Sequence, residues 1–168
     1  LNGIGWHGAL ALHDHCAYIG NRRASLINIV DISDPAQPTS IGTIPFPPGT
    51  QPVELRSISN LQSPISSLLV VADLSPISLL LTFDISDCSR PILLGSIRLA
   101  HTPHEFTLWT DGSRVLAFVA TFLNAPPDLL IIDLTDPRSP HEIARWSAAD
   151  DGLVGPLHSL SVSPDGTT

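Results

Sequence analysis

The chain has 168 residues, 43% of them hydrophobic, and 16 acids against eight basic residues, all arginine, for a formal net charge of −8. That balance argues against a nucleic-acid partner and against an anionic membrane surface, and the length suffices for one sizeable core. Sixteen prolines and 11 glycines in so apolar a chain exclude disorder, which needs low hydrophobicity, and describe short strands joined by tight turns.

Taken in chain order, the apolar segments fall into groups of four. Residues 8–12, 16–19, 26–30 and 39–46 form the first group. Residues 54–58, 68–71, 79–83 and 92–99 form the second, and 105–109, 116–119, 129–132 and 141–146 the third. The third segment of each group is nearly all apolar and bounded by turn residues, the pattern of a strand buried on both faces. Residues 157–162 then open a further unit, followed by the turn signal Ser163-Pro164-Asp165-Gly166.

The groups are tied together by one phrase: Ile29-Val30-Asp31-Ile32-Ser33-Asp34-Pro35, Thr82-Phe83-Asp84-Ile85-Ser86-Asp87-Cys88 and Ile131-Ile132-Asp133-Leu134-Thr135-Asp136-Pro137. Its leading aspartates recur 53 and 49 residues apart, a period typical of propeller blades. The spacing predicts an all-β chain of four-stranded antiparallel blades in units of roughly 5–47, 52–100 and 103–148, with the first strand of a fourth at 156–163. Closed propellers use about four to eight blades, so three blades predict an incomplete ring and a fragment of a larger one. No 3.6-residue periodicity survives the prolines, and helix is expected to be negligible.

In the turn phrase, Asp34, Asp87 and Asp136 suit backbone N–H groups two residues on, and proline presets φ for a β-turn. Calcium binding through Asp31, Ser33 and Asp34 is the functional counterpart. The loop lacks the glycine and distal glutamate of an EF-hand, and structure is the better reading. Cys16 and Cys88 occupy non-equivalent places in their repeats, one in a strand and one in a turn, so the pattern suggests no disulfide between them. The longest apolar run, 115–123, is far too short for a membrane-spanning helix, which needs about 20 residues.

An apolar strand, then Val-Asp-Ile-Ser-Asp-Pro and a proline three residues later, resembles the LVIVD-repeat proteins, a family of β-propellers. Residues 103–109 and 157–163 look like blade-opening strands of its bacterial members. Cys88 in place of proline and Ala144 in place of glycine depart from the pattern. The resemblance implies part of a seven-bladed propeller that presents loops as a binding scaffold for a protein or small ligand. It also implies an extracellular or cell-envelope location, and it implies no reaction and no cofactor.

Seven histidines and no lysine are the most unusual polar signal. His7, His104 and His158 all stand at the start of opening strands, which line the central channel of a propeller. Glu54 and Glu105, each two residues after a proline, occupy matching positions. Their simplest role is polar lining of a wet channel. The alternative is a metal-dependent enzyme resembling the selenium-binding or methanethiol-oxidase propellers, with a transition metal held by His7, His104, His158 and Glu105.

His13-Asp14-His15 reads as an exposed polar turn, and His101 and His141 border turns without a pattern. Trp109 and Trp146 read as core filling, while Trp6, beside His7, keeps a claim on ligand contact. No nucleophile elbow, phosphate loop or dinucleotide fingerprint is present.

Overall fold

The computed structural model describes residues 6–59, 61, 65–121, 126–153, 157–163 and 165–166. The unit bounds expected at 5 and 156, the end of the 115–123 run and Pro164 of the closing turn lie outside them. Twelve strands form three antiparallel sheets of four, each in simple up-and-down order. The first contains β1 (His7–His13), β2 (Cys16–Asn21), β3 (Leu26–Asp31) and β4 (Thr39–Pro45). The second contains β5 (Pro52–Ser59), β6 (Ser67–Asp73), β7 (Leu79–Asp84) and β8 (Ile92–Arg98). The third contains β9 (Pro103–Thr110), β10 (Val115–Thr121), β11 (Leu129–Asp133) and β12 (His141–Trp146). Among the described residues the only helical element is a 3-10 turn at Ala148–Asp151. Residues 157–163 make no sheet pairing in this structure.

Two apolar layers lie between the three sheets. Tyr18, Ile27 and Ile29 of the first sheet pack with Leu55, Leu69, Val71 and Phe83 of the second. Leu68, Val70 and Leu80 on the other face of the second sheet pack with Phe106, Val119, Leu130 and Ile132 of the third. Strand alternation accounts for this division: successive side chains of β6 point to opposite faces, and both faces are covered, so the whole strand is buried. Each fully buried Leu, Ile or Phe contributes about 1.5–3 kcal/mol of transfer free energy. The fourth strands β4, β8 and β12 are mostly exposed and form the outer edge, whereas β1, β5 and β9 pack against one another as the inner row.

Both acids of the repeated phrase are turn devices. Asp34, Asp87 and Asp136 accept the backbone N–H of Ala36, Ser89 and Arg138 at 3.0–3.1 Å, as their position predicts. The leading Asp31, Asp84 and Asp133 do the same for Ser33, Ser86 and Thr135 at 2.7–2.9 Å. A β-turn N–H to C=O bond closes each loop: Gln37 to Asp34, Arg90 to Asp87 and Ser139 to Asp136.

Contrary to the sequence expectation, Cys16 and Cys88 form a disulfide, with Cα atoms 5.8 Å apart. Non-equivalence within the repeat does not separate them. Adjacent blades meet face to face, and the turn of the second sheet reaches across to the start of β2. The same turn position carries a second bond, from the Tyr18 hydroxyl to the Cys88 carbonyl at 2.7 Å. In the third sheet its counterpart, the Pro137 carbonyl, accepts from Thr82 Oγ1 of the second at 2.6 Å. The repeated turn is therefore also an inter-blade clasp.

Candidate functional site

The opening strands β1, β5 and β9 begin alike. Each has a bulge after its first residue, shown by register shifts between His7 and Ala9, between Pro52 and Glu54, and between the pairings of Pro103 and Glu105. The matching positions are therefore His7 with Pro52 and Pro103, Gly8 with Val53 and His104, and Ala9 with Glu54 and Glu105. The sequence alignment that places His7 level with His104 is one residue out, and in a strand one residue reverses the face. His7 accordingly sits elsewhere, exposed, with its Nε2 3.3 Å from Asn21 Nδ2 across the β1–β2 ladder.

His104, Glu105 and His158 do come together. Each offers one ligand-type atom, and these atoms all lie within 4.8 Å of one another. The bulge sets His104 beside Glu105 at the start of β9, and His158 comes from the segment after the third sheet. The two imidazole rings stand 4.3 Å apart, centre to centre, with planes tilted by 55°, and His104 Nδ1 lies 3.1 Å from the His158 carbonyl oxygen. His104 and Glu105 are half-buried and His158 exposed, so the group opens to solvent on one side. Two imidazoles and a carboxylate suit zinc, copper or iron chemically.

Glu54 occupies the position of Glu105 one strand away. Its carboxyl is pushed above the usual range chiefly by burial, against the opposing pull of Arg56 and with a further push from the Glu105 charge. Arg56 pairs with Glu54 directly and donates to the Leu55 carbonyl at 3.2 Å. The inner row thus carries the half-buried Glu54 carboxyl, paired with Arg56, on the strand beside the one that bears His104 and Glu105.

The remaining sequence candidates fall elsewhere. His13, expected in an exposed turn, is buried at the first interface, with Nδ1 3.0 Å from Ser59 Oγ and Nε2 3.4 Å from Asp14. His15 is exposed and stands against the disulfide, its ring nitrogens 3.6 and 3.8 Å from Cys88 Sγ. Asp31 is held below the usual carboxylate range first by the Ser33 N–H, and Asp87 first by the Ser89 hydroxyl, with His15 a smaller contributor to both.

Trp109 and Trp146 do not fill the core. Each is half-buried and tied to a polar group, Trp109 to the Arg114 guanidinium at 5.7 Å and Trp146 to Asp151 through a 2.6 Å indole bond. Trp6 stacks on Arg22 at 5.8 Å and with Arg22, Arg23 and Gln51 lines a cavity of ≈ 320 Å³ whose lining includes none of the three clustered residues.

Two stretches, residues 8–44 and 78–98, match the LVIVD repeat model. No curated protein sequence matches the chain. Solved structures that resemble it are propeller-type proteins. A Lactobacillus plantarum protein superposes with a TM-score of 0.68 at 15% identity, over 95% of this chain and 48% of its own. A functionally unknown protein from Desulfotomaculum acetoxidans gives 0.65 at 20% identity, over 99% and 49%. The periplasmic gluconolactonase of Pseudomonas aeruginosa gives 0.55 at 20% identity, over 79% and 36%. The chain spans about half the length of the first two, and identities this low establish the fold alone.

Proposed function

We propose, from the premise that this chain is an LVIVD-repeat protein of propeller type, that it serves as a non-catalytic binding scaffold that holds a divalent transition metal through His104 and Glu105 of β9 and His158 of the segment after the third sheet. The observation that supports this reading is the convergence of those three donors within 4.8 Å, in a chain whose repeated acids are otherwise engaged by turn N–H groups. His7, bonded to Asn21 and out of register with His104, is not part of the proposed set. The test is zinc stoichiometry of the disulfide-intact chain after zinc loading and gel filtration. One equivalent is expected, falling to none in His104→Ala and in His158→Ala. Equal zinc in all three proteins, or none in any, would sink the reading.

A second reading, a metal-dependent enzyme, is favoured by the raised carboxyl of Glu54 beside Glu105. A carboxyl that keeps its proton above the usual range is suited to general acid–base work. The gluconolactonase among the similar structures is an enzyme on comparable architecture. In this reading Glu54 holds and releases the proton, Arg56 orients it, and the metal, when bound, supplies Lewis-acid polarisation. Hydrolysis of a simple lactone by the zinc-loaded chain, lost in Glu54→Gln, would favour it. Absence of turnover by the loaded chain leaves the scaffold reading in place.

A further inference from the structure

Cys16, Cys88 and His15 form the other donor cluster among the described residues, their ligand-type atoms again within 4.8 Å of one another. We propose that they constitute a second, redox-gated metal site, closed while the two sulfurs are bonded and open to one zinc-class cation once the disulfide is reduced. The proposal is independent of the inner-strand group.

Two thiolates and an imidazole are a donor set for zinc, with a fourth position left to water. The sulfurs of a tetrahedral zinc site stand about 3.8 Å apart, given Zn–S bonds of about 2.3 Å, and the Cα separation of 5.8 Å suits this arrangement as well as the bonded one. Cys16 sits at the start of β2 and Cys88 in the turn after β7, so the turn side chain is the one placed to swing. Both sulfur residues are buried, at 0% and 4% exposure, while exposed His15 stands at the solvent side as the point of entry. The carboxylates of Asp31 and Asp87, close enough to interact with His15, give that entrance a negative field that attracts a cation.

The gating step balances simply. A dithiol reductant attacks the disulfide, the S–S bond breaks, and two electrons and two protons pass to Cys16 and Cys88 while the reductant closes to its own cyclic disulfide. Zinc then binds the two sulfurs and His15 and releases the two thiol protons. A small-molecule disulfide reverses the step by thiol–disulfide exchange: it takes the two electrons and leaves as two thiolates, the Cys16–Cys88 bond re-forms, and the zinc departs as the free cation.

Cobalt(II) is the probe, because thiolate ligation gives it sulfur-to-cobalt charge-transfer absorption that a site built from histidine and glutamate cannot produce. The 168-residue chain is reduced with a water-soluble phosphine, which becomes the phosphine oxide, and titrated with Co²⁺. One equivalent with charge-transfer bands is expected for the reduced chain and none of those bands for the oxidised one. The bands should persist in His104→Ala/His158→Ala, which removes the inner-strand set. His15→Ala should weaken binding by about tenfold or more, and His15→Cys should restore it. A reduced chain with native near-ultraviolet dichroism and no charge-transfer bands would overturn the proposal. So would His15→Ala binding as tightly as the parent, or a chain that unfolds on reduction even with zinc present.

Discussion

The two interfaces between the three sheets use one clasp in two versions. Between the first and second sheets, the turn at Cys88 is covalently joined to Cys16 and its carbonyl takes the Tyr18 hydroxyl. Between the second and third, the corresponding Pro137 carbonyl takes Thr82 Oγ1, and the turn backbone presses so closely on β8 that a Cβ at Gly95 would lie 2.7 Å from the Pro137 oxygen and 2.8 Å from that of Arg138. One interface is held by a crosslink over a buried aromatic, the other by close backbone approach over a small residue. A clasp of fixed position thus tolerates different chemistry, provided the carbonyl finds a donor and the turn finds room.

The largest effect that separates the interfaces is expected from the crosslink. The disulfide closes a loop spanning a sequence separation of 72 residues. Cys16→Ser with Cys88→Ser should therefore lower the free energy of urea unfolding by about 2–5 kcal/mol. A loss under about 1 kcal/mol would show that packing alone holds the first interface. Gly95→Ala comes next, with a loss of about 3 kcal/mol, because everything that obstructs it is backbone of the Pro137-Arg138 turn. Gly20→Ala, where the Pro52 carbonyl stands at 3.0 Å and the Leu55 side chain at 3.1 Å, should cost less. Equal thermal midpoints for the two variants would erase the proposed contrast.

Smaller changes address the hydrogen bonds. Thr82→Val leaves the Pro137 carbonyl without its side-chain donor in a buried setting and should cost about 1.5 kcal/mol in the same denaturation experiment. Tyr18→Phe should cost about 1 kcal/mol, with the disulfide keeping the turn in place. If Tyr18→Phe proved the more damaging, the crosslink would not be what secures that side.

The smallest effect lies on the inner row. The Glu54 carboxyl is raised in the folded state, so folding favours its protonated form. The parent should lose stability as pH rises from the ordinary glutamate range through the raised folded value, and Glu54→Gln should lack that part of the slope. Parallel stability–pH curves for the two proteins would show that Arg56 fully compensates the burial.

How far these features are legible in sequence depends on range. The turn acids were legible because an aspartate and the N–H two residues on are local partners, and the double use of the phrase escaped only because Asp31, Asp84 and Asp133 end strands and look like part of them. The four-strand grouping was legible from apolar runs between Gly, Pro and Asp. Trp109 and Trp146 were misjudged because a strand residue near an end has one wet side that composition does not reveal.

The matching of His7 to His104 failed for a definable reason. The repeat works as a ruler only if no residue bulges, and each opening strand bulges once at its start. His104 with Glu105 could be anticipated from adjacency. His158, whose segment joins no sheet, could not be ranked above His7.

The sequence by itself determined the repeated unit: its strands, its turn chemistry and an all-β architecture, since each follows from interactions spanning a few residues. Only the tertiary structure decided which residues of different units meet. Cys16 with Cys88, Thr82 with Pro137 and His104 with His158 are partners 54 to 72 residues apart. Their contacts depend on how neighbouring sheets stack and where each strand bulges, and neither is encoded at any single position of the repeat.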